Sequence, residues 1–283
     1  MRKVLMLLCL VFPALSFAQE RTLVPVVAWG APGAAGNRWN TEVYLTNLTA
    51  QEEQVTGITA LPLRVKTGPH PCLPPVAPVV VGPWSTKVLY ASELNTWLGC
   101  PEEFVGGLVF EHGPGLLVTT RMTNTKGFAD PGATGPLRGF SQEIPGVPED
   151  QLPGGEGRFM IPTLAWHPNP CEGSQFDTYL YLANPGESEV TVRLLARQGE
   201  DFRFRLGDVE VQLPYLVKVP KGRVVQLALL PPLGGGGPCG SPVFFDLFFE
   251  ADARVGVLAS VVDRASNDPR TVLVTQEHRV QTP

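Results

Sequence analysis

The side chains able to do chemistry in this chain are few and scattered. Five cysteines, four histidines and five tryptophans are spread over 283 residues. Cys72, Cys100, Cys171 and Cys239 form no C-x-x-C pair, the spacing that a zinc site or a thiol redox centre uses. His70, His112, His167 and His278 stand singly, mostly beside Pro or Gly. No H-E-x-x-H, G-x-S-x-G, phosphate-binding glycine loop or EF-hand spacing occurs. The acidic groups Glu102-Glu103, Glu149-Asp150 and Glu250 with Asp252 lack the repeated oxygen-ligand spacing of a calcium site. They read instead as solvated charges that keep strand edges from pairing with other chains. The sequence therefore predicts no catalytic residue, no metal and no cofactor. A hydrolase whose triad assembles only in space is the enzymatic alternative.

Aromatic side chains are the better lead, because Trp is favoured where proteins hold ligands. Trp29 and Trp166 stand in matching sentences and read as core plugs, and Trp39 has Phe176 opposite it. Trp84 and Trp97 have no counterpart, so no shared structural need explains them; they are the tentative ligand surface. Arg121 reads as one side of a cross-strand ion pair before it reads as a carboxylate binder.

Compartment follows from the N-terminus. MRKVLMLLCLVFPALSFA, residues 1–18, has a basic start, a short apolar run holding Cys9, and a small-x-small ending at Ser16 and Ala18. This is the form of a signal peptide, and its run is shorter than the roughly 20 residues a membrane-spanning helix needs. Export to the periplasm, cell surface or medium is expected, with no transmembrane segment in the mature protein. Loss of Arg2 and Lys3 takes the formal charge from −5 to −7. That balance argues against nucleic acid, which is bound by neutralising phosphates with Lys and Arg.

The positions of these residues are set by a duplication. VPVVAWGAPGAAGNRWNTEVYLTN (Val24 to Asn47) and IPTLAWHPNPCEGSQFDTYLYLAN (Ile161 to Asn184) match at Pro25/Pro162, Ala28/Ala165, Trp29/Trp166, Thr41/Thr178, Tyr44/Tyr181 and Asn47/Asn184. Downstream, Cys100/Cys239, Leu108/Leu247, Phe110/Phe249 and Val118/Val257 coincide, and Gln142-Glu143 falls opposite Gln276-Glu277. Each copy is large enough for its own core. Alternating segments such as DFRFRLGD, DVEVQL, TEVYL and VTVRLLA read as half-buried strands, and 29 Pro with 30 Gly leave only a turn or two of helix near Ala91 to Leu98. The expected fold is all-β: two tandem, internally duplicated β-sandwich (Ig-like) domains after the signal peptide. Boundaries are expected at 22–146 and 159–283, with a Pro/Gly linker over 147–158. An even cysteine count after an export signal implies disulfides. Domains that fold independently favour internal bridges, here Cys72–Cys100 and Cys171–Cys239, each contributing about 2–4 kcal/mol.

The opening P-x-x-A-W…G…W-x-T-x-V-Y-L-x-N, the middle V…G…S-x-x-V-L and the closing T-x-R-M-T-N…G-F-S-Q-E-I-P resemble β-sandwich modules found singly or in tandem in exported proteins of environmental bacteria. The resemblance covers both halves and implies the fold and export. The expected function is non-enzymatic: binding, adhesion or a structural role in the cell envelope, with an envelope protein or glycan as partner. A carbohydrate-binding accessory module and a two-domain periplasmic chaperone are the alternatives, the latter needing an open apolar strand edge.

Overall fold

The computed structural model describes residues 19–32, 38–63, 78–99, 103–125, 140–166, 176–197, 202–206, 208–232, 242–263 and 268–276. The expected signal peptide and all four expected disulfide cysteines lie outside the described residues. What is described is all-β, with antiparallel sheets and a single short helix, α1 (Ala91–Leu98). That helix forms where the proline-free stretch allowed it. The Tyr90 amide donates to the Glu93 carboxylate at 2.9 Å at its start, and Gly99 closes it in the left-handed region.

In the N-terminal half, one sheet runs β10 (Val147–Pro148), β1 (Glu20–Trp29), β7 (Phe104–His112), β4 (Glu53–Pro62), β5 (Val79–Val81). The facing sheet is β3 (Arg38–Asn47), β8 (Leu116–Thr125) and β9 (Phe140–Pro145), with β2 (Ala31–Pro32) and β6 (Thr86–Leu89) also paired to β3. In the C-terminal half one sheet runs β21 (Thr275–Gln276), β11 (Gly155–Trp166), β18 (Val243–Ala251), β13 (Val190–Leu195), β16 (Tyr215–Val219). Its partner sheet runs β17 (Arg223–Leu230), β12 (Phe176–Asn184), β19 (Gly256–Asp263), β20 (Asp268–Leu273), extended beyond β17 by the hairpin β14 (Arg203–Leu206) and β15 (Val209–Gln212). The strand order of each sheet recurs in the other half.

Repeated residues occupy repeated roles. Both β1 and β11 carry an irregularity in their pairing, between Val24 and Val27 and between Ile161 and Leu164. Pro25 and Pro162 sit there, where a residue without an amide proton breaks no ladder bond. The Thr41 hydroxyl accepts from the Ala28 amide, and Thr178 accepts from the Ala165 amide. The side-chain amide of Asn47 donates to the carbonyls of Gln51, Val81 and Gly82, and that of Asn184 donates to Ser188 and Val219. Trp29 and Trp166 are buried; Trp29 stacks on Phe104 and Trp166 meets Phe245 at a tilt of 39°, with ring centroids 4.3 Å apart in each pair. They are core plugs.

One pairing read from the sequence is corrected. Gln142 lies in β9, next to β8, whereas Gln276 lies in β21, next to β11. The strand that stands to β19 as β9 stands to β8 is β20. The reason is loop length: residues 126–139 connect β8 to β9, but only residues 264–267 connect β19 to β20. A shared Gln-Glu dipeptide near the end of each half was therefore a coincidence of letters.

The two halves are stacked, not merely strung together. Strand β1 is buried continuously from Thr22 to Trp29. Its sheet is packed on one side by the sheet of β3 and on the other by the sheet of β12. Strand β12 divides its side chains accordingly: Leu180 and Leu182 enter the C-terminal core, while Tyr181 and Ala183 join the N-terminal one. Close packing at this junction leaves no room at Gly256, where a Cβ would stand 2.2 Å from the tip of Leu23. Of residues 147–158, expected as a linker, Val147–Pro148 form β10 and Gly155 to Arg158 open β11. Val147 and Pro148 pair with β1, Arg21 meets the Glu149 carboxylate at 2.7 Å, Leu152 is buried, and the Pro153 carbonyl accepts from the Val255 amide.

Candidate functional site

Where the edge strand β9 of one half meets β19 and β20 of the other, three sheets converge and leave a cavity of about 560 Å³. Its apolar wall comes from the N-terminal half, with Val26 and Ala28 of β1 and Val105 of β7. Strands β8 and β9 add Met122, Asn124 and Gln142. The opposite wall is the outward row of β12, Asp177, Tyr179 and Tyr181, flanked by Gln226 of β17 and by Ser260 and Val262 of β19. Trp39 borders it too; it is half-buried and packs on the N-terminal core, so the packing role read from the sequence and a place at the cavity coexist.

The polar groups are ordered by one another. Gln142 Oε1 accepts from the hydroxyl of Ser260 at 3.1 Å and lies 3.2 Å from that of Thr271, whose oxygen is also 2.9 Å from the Glu143 carbonyl. These bonds cross between the halves. Gln226 donates to the Tyr181 hydroxyl at 3.0 Å, and the Tyr179 hydroxyl is 3.4 Å from the Asp177 carboxylate. Burial pushes the Tyr181 hydroxyl far above the usual phenol range, Tyr179 adds to the rise and the Gln226 bond opposes it. Tyr181 is therefore a neutral donor and acceptor at any ordinary pH.

Two polar atoms at the cavity have no hydrogen-bond partner among the described residues: Gln142 Nε2, a donor, and Asn124 Oδ1, an acceptor. Gln142 is 5 % exposed and Asn124 4 % exposed. A buried polar group without a partner costs on the order of 1–3 kcal/mol. No Lys, Arg or His is among the described residues lining the cavity. Among the described lining residues the one charge is the Asp177 carboxylate.

The residues singled out from the sequence fall elsewhere. Trp84 is 70 % exposed in the turn between β5 and β6, with φ of 50°, and its amide donates to the Thr49 carbonyl. Trp97 belongs to α1, but its side chain lies outside the described residues. Trp84 does not line the cavity. Arg121 stands in register between Glu42 and Glu143 across β3, β8 and β9 and donates to the Ser141 hydroxyl at 3.1 Å. His112 is buried with Nε2 on the Thr22 hydroxyl and Nδ1 on the Gly113 carbonyl. Glu103, Glu149 and Glu250 pair with Arg38, Arg21 and Arg193, and Asp252 accepts from the Thr191 amide.

The cavity residues themselves escaped the sequence reading. Their one signal was polarity at unexpected strand positions: Tyr179 and Tyr181 alternate with Leu180 and Leu182, a pattern that looks like a wet face until a second half covers it. Two of the outer strands, β5 and β16, offer little to an incoming chain. Strand β5 is three residues long between Pro78 and Gly82-Pro83, and β16 runs between Pro214 and Pro220 with Lys218 exposed. Comparison with protein families, curated proteins and solved structures returns no match.

Proposed function

We propose that the chain is an exported, non-enzymatic binding protein of the cell envelope, made of two duplicated Ig-like sandwiches that hold a ligand between them. The cavity at the junction carries this reading. At about 560 Å³ it is within the range of small-molecule sites, roughly 300–1,000 Å³. It is walled by apolar side chains on one side and hydrogen-bonding groups on the other. The duplication is supported by the recurring strand order and by the matched roles of Pro25/Pro162, Thr41/Thr178 and Asn47/Asn184. Export is supported by the form of residues 1–18, and on this reading the disulfides Cys72–Cys100 and Cys171–Cys239 form within their own halves.

The test is ligand-observed NMR on the chain starting at Gln19, with neutral oligosaccharides, tripeptides and the diamine putrescine as probes. Val262 is a half-buried wall residue, and Val262→Phe fills space in the cavity without touching the hydrogen bonds between the halves. At least one probe is expected to bind the native chain and to be displaced in Val262→Phe. If every probe behaves identically with the two proteins, the binding reading falls.

A further inference from the structure

The two halves meet by unlike faces, and each half leaves one such face unused. We infer that the chain associates head to tail with further copies of itself, the outer face of the β11 sheet of one molecule receiving the outer face of the β3 sheet of the next.

The junction within the chain supplies the template. Strand β1 packs on β12 and β19, and β17 packs on β4 and β7, whereas β3 and β11 pack on strands of their own half. At the junction Leu23 reaches Gly256 and Ala183, and Gly107 faces Val224. Because the halves repeat each other, the β11 sheet repeats the face that carries Leu23, and the β3 sheet repeats the face that carries Gly256. A contact between two different faces does not close on itself, so a further molecule can extend it without any new kind of surface.

The unused faces keep apolar side chains at the same places. On the used face Leu23 is in register with Val109, and Ala28 with Val105. In the same register on the unused face stand Met160 with Phe248, and Ala165 with Phe244. Phe244 is 62 % exposed, and Leu216, which shares this face through Arg193 and Glu250, is 61 % exposed. Large exposed apolar side chains gathered on one face mark a contact surface.

The second pair of faces agrees. At the junction Ala183 is in register with Gly256 and Val224, and Tyr181 with Leu258. The unused counterpart has Thr46 with Leu117 and Thr86, and Tyr44 with Thr119. Leu117 is exposed there, as are Leu48 at the end of β3 and Trp84 in the turn before β6. The paired charges on this face, Glu42 and Arg121, stand where the junction has Tyr179 and Ser260, which line the cavity and not the dry contact.

Contact between chains is looser than contact within one. Leu117 stands where Gly256 admits Leu23. The Arg197–Asp246 ion pair stands where Leu61 is in register with Gly107, against Val224. Association is therefore set by concentration.

The experiment is sedimentation equilibrium of the chain starting at Gln19, from micromolar to millimolar concentration. The mean mass of the native protein is expected to climb past that of a dimer without levelling off. Phe244→Glu and Leu117→Glu each place a charge on one of the two faces, and each variant alone is expected to stay monomeric. Mixed, they are expected to form a one-to-one dimer and stop there, because each retains the face that the other has lost. Thermal melting checks that both are folded, and Leu216→Glu and Leu48→Glu are the second variants on the same two faces. A native chain that stays monomeric at millimolar concentration overturns the inference. A single variant that still dimerises alone also overturns it, since that contact would be symmetric, and so does a mixture that stays monomeric. Ligand binding at the cavity is read by the small-molecule probes and stands or falls separately.

Discussion

Trp84 and Gly222 stand at the same place in the two halves, each the second residue of the turn that carries the chain from one sheet to the other, with φ of 50° and 62°. Glycine enters this left-handed region freely, whereas a side chain brings its Cβ against the backbone at a cost of about 1–2 kcal/mol. Nothing in the core repays Trp84 for that strain, since its ring is mostly exposed. Trp84→Gly is therefore expected to raise unfolding free energy by about 1 kcal/mol, and Gly222→Trp to lower it by a similar amount. Urea denaturation of the two variants checks this. A loss of stability in Trp84→Gly would mean that the ring is packed, and would remove the reason to regard it as a surface kept for a partner.

The contact between Leu23 and Gly256 decides whether the halves behave as one body. A methyl group added at Gly256 would overlap the Leu23 side chain at 2.2 Å, and Leu23 is itself fully buried. Gly256→Ala is expected to destabilise the protein by about 1–3 kcal/mol. Shortening the neighbour reopens the space: Leu23→Ala alone costs about 2–5 kcal/mol, but the double variant is expected to be less destabilised than the sum of the two. A double-mutant cycle by chemical denaturation measures this coupling. Strict additivity would show that the two sheets are not in contact in solution.

Much of the fold was legible because the two halves repeat their letters where they repeat a backbone task. Asn47 and Asn184 survive in both because each satisfies carbonyls of a following turn and edge strand that no ladder reaches. Pro25 and Pro162 survive because a bulge tolerates them. Helix α1 was visible as an interval without strand alternation. The stacking was not legible, for a physical reason. A strand buried on both faces and a strand in a large core write the same unbroken apolar run, and β1 from Leu23 to Trp29 is such a run. Conversely Tyr179 and Tyr181 wrote the alternation of a half-wet strand, because hydroxyls that face a polar cavity look like hydroxyls that face water. The run FFDLFFE is a mixed case: Leu247, Phe248 and Phe249 are buried as its bulk suggests, but Phe244 is exposed. The candidate site belongs to the junction between the halves, and no single stretch of sequence encodes a junction.

Tyr181 ties this junction to pH. Its folded-state ionisation is raised by burial between the halves, whereas in the unfolded chain it ionises as an ordinary phenol near pH 10. Below about pH 10 both states carry the proton and the difference contributes no slope. Above that, the unfolded chain releases its proton while the folded chain retains it. Stability must then fall as pH rises, and go on falling until the folded state ionises as well. Tyr44 adds a second contribution of the same sign, raised by its own burial and by Glu42 and opposed by Arg121. Tyr181→Phe keeps the ring and removes the ionisation, so its unfolding free energy is expected to decline less steeply between about pH 10 and 11 than that of the native chain. It is also expected to free Gln226 Nε2, which now donates to the phenol. Parallel denaturation curves across that interval, with no difference in slope, would place the Tyr181 hydroxyl in water and the two halves apart.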